Sequence, residues 1–213
     1  MSRSRLAALR SMSNSGLQVV LVTEKNLSGF ILPQAPLHPQ YECLSFVHRA
    51  DYLRTYFMNF YGGAYADIKF IEMSWLDALD RLIDSDKYGI GYREVGVRGV
   101  AYTRKVNYLK LVFRWRRLLG NGAYIFKPYT VFTQSWYERM ITEMDTLSQQ
   151  LKLHPAVSAE DFRGKAHKTL LCKSSYPLRW SQLLGCIFHP LCLDHHDRLL
   201  YSLPAPNFQI PVD

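Results

Sequence analysis

The stretch Leu53–Phe70 (LRTYFMNFYGGAYADIKF) constrains the fold more than any other part of this chain. Its aromatic and aliphatic residues follow a helical pattern that stops at Gly62 and Gly63, because glycines adopt backbone angles that end a helix. A short strand-like segment follows at once and carries an acid, Asp67, and a base, Lys69, two positions apart. The chain is therefore predicted to pass from a helix through a tight turn into a strand that presents two opposite charges.

Helical and strand-like patterns alternate along the rest of the chain. Predicted helices cover residues 3–12, 45–60, 74–86 and 130–151, and predicted strands cover residues 16–23, 64–70, 88–92 and 121–128. Ser45 and Ser74 are the predicted N-caps of the second and third helices. This alternation predicts an α/β fold with a mostly parallel sheet. No repeat or low-complexity linker interrupts the chain, so residues 1–213 are predicted to form a single domain.

The composition is that of an ordinary globular protein, with 48% hydrophobic and 21% charged residues. No apolar stretch approaches the ~18 residues of a membrane span, and the N-terminus lacks the apolar core of a signal peptide. The four cysteines are too few for a disulfide framework. We therefore expect a cytoplasmic protein.

The chain carries a formal net charge of +8, and much of the excess lies between Arg93 and Arg117, where eight basic residues accompany one acid, Glu94. Such a cluster predicts an anionic partner: a nucleic acid, an anionic lipid surface or a phosphorylated small molecule. Apolar residues within 105–120 recur near the helical period, so this segment either contacts a membrane peripherally or packs on the core with a solvated basic face. No nucleic-acid-binding motif accompanies the cluster, and we expect no nucleic acid partner.

An acid and an arginine in the second predicted helix share one of its faces. Asp51 and Arg54 lie three residues apart, in the helix that leads to the glycine pair. Asp67 follows near the carboxyl edge of the sheet, where open α/β sheets bind their ligands. Each element alone is more typical of a surface ion pair or a plain turn. Their order along the chain favours a binding site at which the two acids and the arginine converge.

The segment His48–Lys69 (HRADYLRTYFMNFYGGAYADIK) resembles the signature of DXD-type glycosyltransferases, the capsular-polysaccharide-synthesis and glycosyltransferase family 32 enzymes, and it covers about a tenth of this chain. That signature reads Ser-Asp-x-x-Arg, an apolar helix and Tyr-Gly-Gly-x-Tyr-x-Asp-x-Asp. The resemblance implies a single GT-A-like domain that moves a sugar from a UDP- or GDP-sugar donor to a glycan or lipid-linked acceptor, in polysaccharide or glycan biosynthesis. Family 32 enzymes would retain the anomeric configuration of the donor.

The resemblance also implies roles for the residues that bind the donor sugar. Asp51 and Arg54 would hydrogen-bond the hydroxyls of that sugar. Gly62 and Gly63 would make room for the donor. Tyr65 matches the second tyrosine of the signature and is placed with the same donor-binding residues.

Asp67 would take the first acidic position of the DXD motif, near the ribose and a diphosphate bound to Mn²⁺ or Mg²⁺. The second acidic position holds Lys69, and a charged lysine cannot ligate a metal ion. Either Asp67 binds the metal with help from His189 or Asp194, or the Lys69 ammonium pairs with phosphate and weakens the dependence on metal. A third interpretation pairs Lys69 simply with Asp67 or Glu72. Asp67 and Lys69 are the candidate catalytic residues.

In the relatives, a strand that holds the nucleotide base precedes the segment corresponding to residues 5–23, and this chain starts after that strand. Either the start is truncated, or the base pocket is incomplete. Together with Lys69, this difference favours an alternative function, in which a catalytically inactive GT-A-like protein binds a glycan or a protein partner.

Two residues outside the signature are further candidates. Asn121, in the turn by which the chain enters the predicted strand 121–128, would contact the donor or the acceptor, or only shape the turn. His189 precedes a proline; in a loop it would face the diphosphate, or it would be a packed loop histidine without such a role. Cys186, His189, Cys192 and His195 are of the residue types that bind zinc, but their regular three-residue steps and an intervening proline do not suit a zinc site.

Overall fold

The structure is a computed structural model that describes residues 1–103, 108–167 and 172–212. These residues form an α/β fold with helices packed on both faces of a central sheet, so the predicted α/β class is confirmed. The helices are α1 (Arg3–Ser11), α2 (Phe46–Phe60), α3 (Leu76–Ile83), α4 (Tyr108–Phe113), α5 (Val131–Thr146), α6 (Ser148–Leu153) and α7 (Gly185–Asp194). The strands are β1 (Gly63–Ala66), β2 (Gly89–Arg93), β3 (Leu119–Phe126), β4 (Ala166–His167), β5 (Cys172–Lys173) and β6 (Leu199–Leu200).

The central sheet is mixed, and the prediction of a mostly parallel sheet is wrong. Its strand order is β1-β3-β2-β6, with β3 antiparallel to both β1 and β2, while β2 and β6 are parallel. Since β1 and β2 both run against β3, they run in the same direction as each other. The helix α3 connects them as a crossover between parallel strands would. The difference from the expectation arises because β3 inserts between these two strands.

The strand β3 divides the core between the two faces of the sheet, because side chains alternate along a strand. Tyr124 and Phe126 belong to a large aromatic cluster with buried residues of α2, α5 and α7. Ala123 and Ile125 belong to a smaller cluster that includes buried residues of α3. The ring-rich face is therefore the one that carries α2, the helix of the predicted site.

The helix α2 begins and ends as predicted. The Ser45 hydroxyl accepts a hydrogen bond from the His48 backbone N–H, and the Gly62 N–H donates to the Phe57 carbonyl at the other end. Gly62 has a φ of +66°, and a Cβ at this position would lie 2.6 Å from the Pro128 ring. The glycine is therefore required both by its backbone conformation and by the close approach of the chain that leaves β3.

The predicted strand at residues 16–23 is wrong. These residues belong to no strand, and Val19, Val20 and Leu21 have 43%, 55% and 45% of their surface exposed. Their apolar, β-branched composition is typical of a buried strand. A strand forms, however, only where a neighbouring backbone lies within hydrogen-bonding distance. Within the described residues β1 pairs on one side only, with β3, and segment 17–22 faces β1 across a cavity instead of pairing with it.

Two further elements differ from their predicted limits. The strand expected at residues 64–70 ends at Ala66, so Asp67 follows the strand instead of lying within it. The N-cap of α3 is Trp75, one residue after the predicted Ser74, whose hydroxyl accepts a hydrogen bond from the Leu76 N–H. Both differences are small, but the first places Asp67 in the turn that leaves the sheet.

The last predicted helix, residues 130–151, is divided, and Thr130 is its N-cap. The helix α5 ends at Thr146, and α6 follows from Ser148. His189, which was expected in a loop, lies inside α7 beside Pro190, so that expectation is wrong. No helix in the described ranges is long and apolar enough to cross a membrane.

Candidate functional site

Arg54 lies at the centre of a cluster of charged and polar groups between α2, β1 and β3. Its Nη2 atom is 3.4 Å from Asp51 Oδ1 and 3.5 Å from Asp67 Oδ1. Its Nη1 atom donates a hydrogen bond to the Asn121 backbone carbonyl at 3.0 Å. The structure thus brings together the three charged residues whose order in the sequence indicated a site. Asn121 lies in β3 itself and not in a turn, which corrects its expected position.

Tyr65 holds both Arg54 and Asp67. Its hydroxyl donates to Asp67 Oδ1 at 2.7 Å, and the Arg54 guanidinium lies over its ring at 4.2 Å from the centroid. The Asp67 backbone N–H donates to the Gly122 carbonyl at 2.8 Å, which fixes the start of the turn. The Asp67 side chain is still 41% exposed, and Oδ2 has no hydrogen-bond partner in the part of the chain that the structure describes. This oxygen is available to a ligand.

Tyr124 is a member of the cluster that sequence reasoning missed. It lies opposite Tyr65 on β3, and the two rings stack with centroids 5.4 Å apart. Its buried hydroxyl, Arg54 Nε and Asn121 Oδ1 have no hydrogen-bond partner among the described residues. Buried polar atoms without partners are uncommon, and a group of them marks a place for water or a polar ligand. Only the strand register, which the sequence does not state, could have identified Tyr124.

Asp51 is the most deeply buried acid of the cluster, with 5% of its side chain exposed. Burial raises the pKa of its carboxyl to about 6, against the opposing effect of Arg54, and the nearby Asp67 raises the pKa further. The carboxylate is covered in this conformation, and its ionic partner is Arg54. Asp51 therefore orients the guanidinium that reaches Asp67.

The buried Asp51 predicts a pH-dependent stability. Between pH 4 and 6 the unfolded chain has lost this proton while the folded chain keeps it, because the folded pKa is raised to about 6. Relative to Asp51→Asn, the wild-type free energy of unfolding is expected to fall by up to about 3 kcal/mol as the pH rises through this range, and to level off above it. Urea denaturation of both proteins at several pH values measures the difference. Parallel curves would contradict the raised pKa.

His189 is fully buried and packs beneath Asn121. Its Nδ1 accepts the Ala101 backbone N–H at 3.0 Å, and burial lowers its pKa to about 4, so the neutral ring carries its proton on Nε2. The Asn121 amide lies 3.1 Å from Nε2. Because His189 Nε2 donates, the side-chain atom of Asn121 that faces it must be the amide oxygen. The NH₂ group of Asn121 then occupies the second position of the amide, where no hydrogen-bond partner is found among the described residues. Asn121 then presents a buried donor within the cluster.

Lys69 follows Asp67 in a tight turn, in which its backbone N–H donates to the Asp67 carbonyl at 2.7 Å. Among the described residues no ion pair joins its ammonium to Asp67 or Glu72, and Glu72 instead accepts a hydrogen bond from Asn207. The pairing of Lys69 with Asp67 or Glu72 that the sequence left open is therefore not found.

Of the two glycines expected to make room for a donor, Gly62 and Gly63, only Gly63 has open space where a Cβ would lie.

A cavity of about 300 Å³ opens beside the cluster. Segment 17–22, α1, α2 and the edge of β1 form its wall, which is mostly aliphatic. Arg54 and Tyr65 supply polar groups at this wall. The exposed apolar segment that was expected to be a strand thus lines a space large enough for a flat ring.

The ligand atoms around Asp67 and His189 can be compared with those that a divalent metal ion needs. Among the described residues no group of three or more His, Cys, Asp and Glu side chains lies close enough to hold a metal ion. Asp67 is the exposed carboxylate of the cluster, but one of its oxygens is already held by Tyr65 and Arg54. Both ring nitrogens of His189 are engaged within the core. This donor set does not fit a hard divalent cation, which needs several free oxygen ligands.

The chain matches no protein-family model, no curated protein and no solved structure.

Proposed function

We propose that this protein is a glycosyltransferase with a GT-A-like domain, which moves a sugar from a UDP- or GDP-sugar to an acceptor hydroxyl in polysaccharide or glycan assembly. The observation that carries the proposal is the position of Arg54, whose guanidinium lies within 3.5 Å of two carboxylates, one on α2 and one in the turn after β1. The resemblance of residues 48–69 to the DXD-type signature supports it, because the residues of that signature are the ones that meet here.

The donor would occupy the cavity and the adjoining cluster. The aliphatic wall suits a nucleobase, which is flat and weakly polar. The free Oδ2 of Asp67 would accept hydrogen bonds from sugar or ribose hydroxyls. The Asn121 amide and Arg54 Nε supply buried donors for the oxygens of the same ligand. Asp51 would act by keeping the Arg54 guanidinium in place.

Transfer of the sugar leaves negative charge on a nucleoside diphosphate. A group that stabilises this charge in the transition state lowers the barrier to transfer. The Arg54 guanidinium lies 3.5 Å from Asp67, and Lys69 follows Asp67 two positions along the chain. Lysine pairs with phosphate oxygens as a point charge. We assign Lys69 this role and derive no step through a metal ion, because the donor set does not fit one.

Release of free nucleotide from a panel of UDP- and GDP-sugars tests the proposal. We expect one donor to be turned over, and a chelator to change the rate by less than about twofold. Lys69→Ala should lower the rate by about tenfold or more, because it removes charge stabilisation from the leaving group. A rate that vanishes with the chelator and returns with Mn²⁺ would overturn the assignment of Lys69.

A matched pair of variants separates the site from general effects of charge. Asp67→Asn should abolish turnover, while Asp84→Asn, at an exposed acid after α3, should leave it unchanged. If no donor is turned over and none binds in calorimetry, the enzyme proposal fails.

A glycan-binding protein without turnover is the second candidate, and the lysine in place of the second acid favours it. It predicts that oligosaccharides bind with an affinity that depends on Asp67, while no nucleotide is released.

A further inference from the structure

The helix α4 is anchored to the core by one face and leaves an apolar face uncovered. Leu111 is completely buried, whereas Leu109 and Phe113 have 61% and 83% of their surface exposed. These two residues lie four positions apart, so their side chains share a face of the helix. A phenylalanine exposed to this extent, next to a second large apolar side chain, indicates a surface that binds something.

Basic residues surround this apolar face. Lys110 and Arg114 are the residues that follow Leu109 and Phe113 in the chain, and they are also four positions apart. Arg116 and Arg117 come shortly after, and all four basic residues are exposed. The Arg116 guanidinium lies 4.6 Å from the centroid of the partly buried Trp115 ring. No acidic residue occurs in the sequence between Glu94 and Glu138. The surface formed by residues 108–117, here called the basic apolar surface, therefore combines exposed hydrophobic side chains with a cluster of exposed basic residues.

A second aromatic residue extends the basic apolar surface. Tyr102, which is 60% exposed, packs its ring edge-to-face on Tyr108 at a centroid distance of 5.0 Å. Aromatic side chains with a polar tip are favoured where apolar and aqueous phases meet. Tyrosine, phenylalanine and leucine beside arginine and lysine are the composition of helices that lie in the interface of a lipid bilayer.

We propose that the basic apolar surface docks this protein on an anionic lipid membrane. Phe113 and Leu109 enter the boundary between headgroups and acyl chains, and Lys110, Arg114 and Arg116 contact the acidic headgroups. The charge of the surface complements that of an anionic leaflet, which attracts clustered basic residues. Phe113 provides the apolar part that a purely electrostatic contact with nucleic acid would not need.

The surface also lies close to the candidate site along the chain. Arg117 precedes Asn121 by four residues, which an extended chain spans in at most about 14 Å. A membrane-docked molecule would therefore present the end of β3 that carries Asn121 near the lipid headgroups. The docking proposal does not depend on the proposed function, but it would bring a lipid-linked acceptor within reach.

Co-sedimentation of the full chain with vesicles tests the proposal. Vesicles of phosphatidylcholine with about 30% phosphatidylserine should bind the protein, and pure phosphatidylcholine should bind it at least about tenfold less. Raising the salt concentration should weaken binding, because it screens exposed charges. Phe113→Ser and Arg114→Glu should each lower the partition coefficient about tenfold, since one loses apolar contact and the other reverses a charge.

Two control substitutions make the same kinds of change, apolar to serine and basic to glutamate, at a different place on the surface. Leu153→Ser and Lys152→Glu change an exposed leucine and an exposed lysine at the end of α6, and they should bind vesicles as the wild type does. Circular dichroism confirms that each variant is folded. Equal binding by all variants, or no binding to the acidic vesicles, would overturn the proposal. Loss of single-stranded RNA binding in the Arg114 variant, without any vesicle binding, would assign the surface to nucleic acid instead.

Discussion

Replacing Arg54 by alanine is expected to reduce donor turnover by about a hundredfold or more, as the loss of a donor that faces developing charge does in other enzymes. The guanidinium holds Asp67, covers the Tyr65 ring and bonds to the Asn121 carbonyl, so its removal disturbs each part of the cluster. Steady-state release of nucleotide from the best donor measures the effect. Arg54→Lys keeps the positive charge but lacks the planar guanidinium with its several N–H donors. Its turnover rate should stay below about a tenth of the wild-type rate.

The same substitution is expected to destabilise the fold, and a double-mutant cycle separates the two effects. Arg54→Ala leaves the buried Asp51 without its partner, at a cost of about 3–5 kcal/mol. Adding Asp51→Leu should restore much of the free energy of unfolding, because no buried charge then remains unpaired, while turnover stays low. If the double variant regains turnover together with stability, Arg54 has only a structural role.

Replacing Phe188 by alanine is expected to lower the free energy of unfolding by about 3–5 kcal/mol. Phe188 is fully buried in α7, and its ring contacts those of Trp136, Tyr124 and Phe132 at centroid distances of 4.7, 5.3 and 5.6 Å. The removed ring leaves a cavity bordered by rigid rings, which cannot close around it easily. Urea denaturation measures the loss in free energy of unfolding.

The matched control for this prediction is Phe208→Ala, which changes a phenylalanine that is 40% exposed and should cost less than half as much. Tyr124 also packs on Tyr65, so the loss of Phe188 should loosen the site and weaken donor binding at temperatures where the protein is still folded. A Phe188→Ala protein as stable as the wild type would show that the aromatic cluster is not the centre of the core.

The elements near the signature could be predicted from the sequence because their signals are local. A serine cap, an aromatic run and two glycines determine where α2 begins and ends, and each acts within one turn of chain. The spacing of Asp51 and Arg54 on one helix face is equally local. Local order was also enough to predict that Asp67 would follow the glycine turn closely.

Prediction failed where a residue's environment depends on distant parts of the chain. Residues 16–23 have the composition of a strand, yet they pair with no strand of the described residues. Tyr124 joins the site only because β3 lies beside β1 in a register that pairs it with Tyr65. His189 tolerates the following proline within a helix and lies in the core, where its sequence context indicated a loop.

The sequence by itself determined the α/β class, the limits of α2 and the set of charged residues that belong together. Its signals come from capping, glycine conformation and side-chain periodicity, which depend on neighbours a few residues apart. The tertiary structure alone decided that β3 runs between β1 and β2, that Asp51 is covered while Asp67 stays accessible, and that a cavity opens beside β1. These features depend on strand pairing and burial between residues distant in sequence, and a local pattern contains no information about which distant backbone will lie alongside.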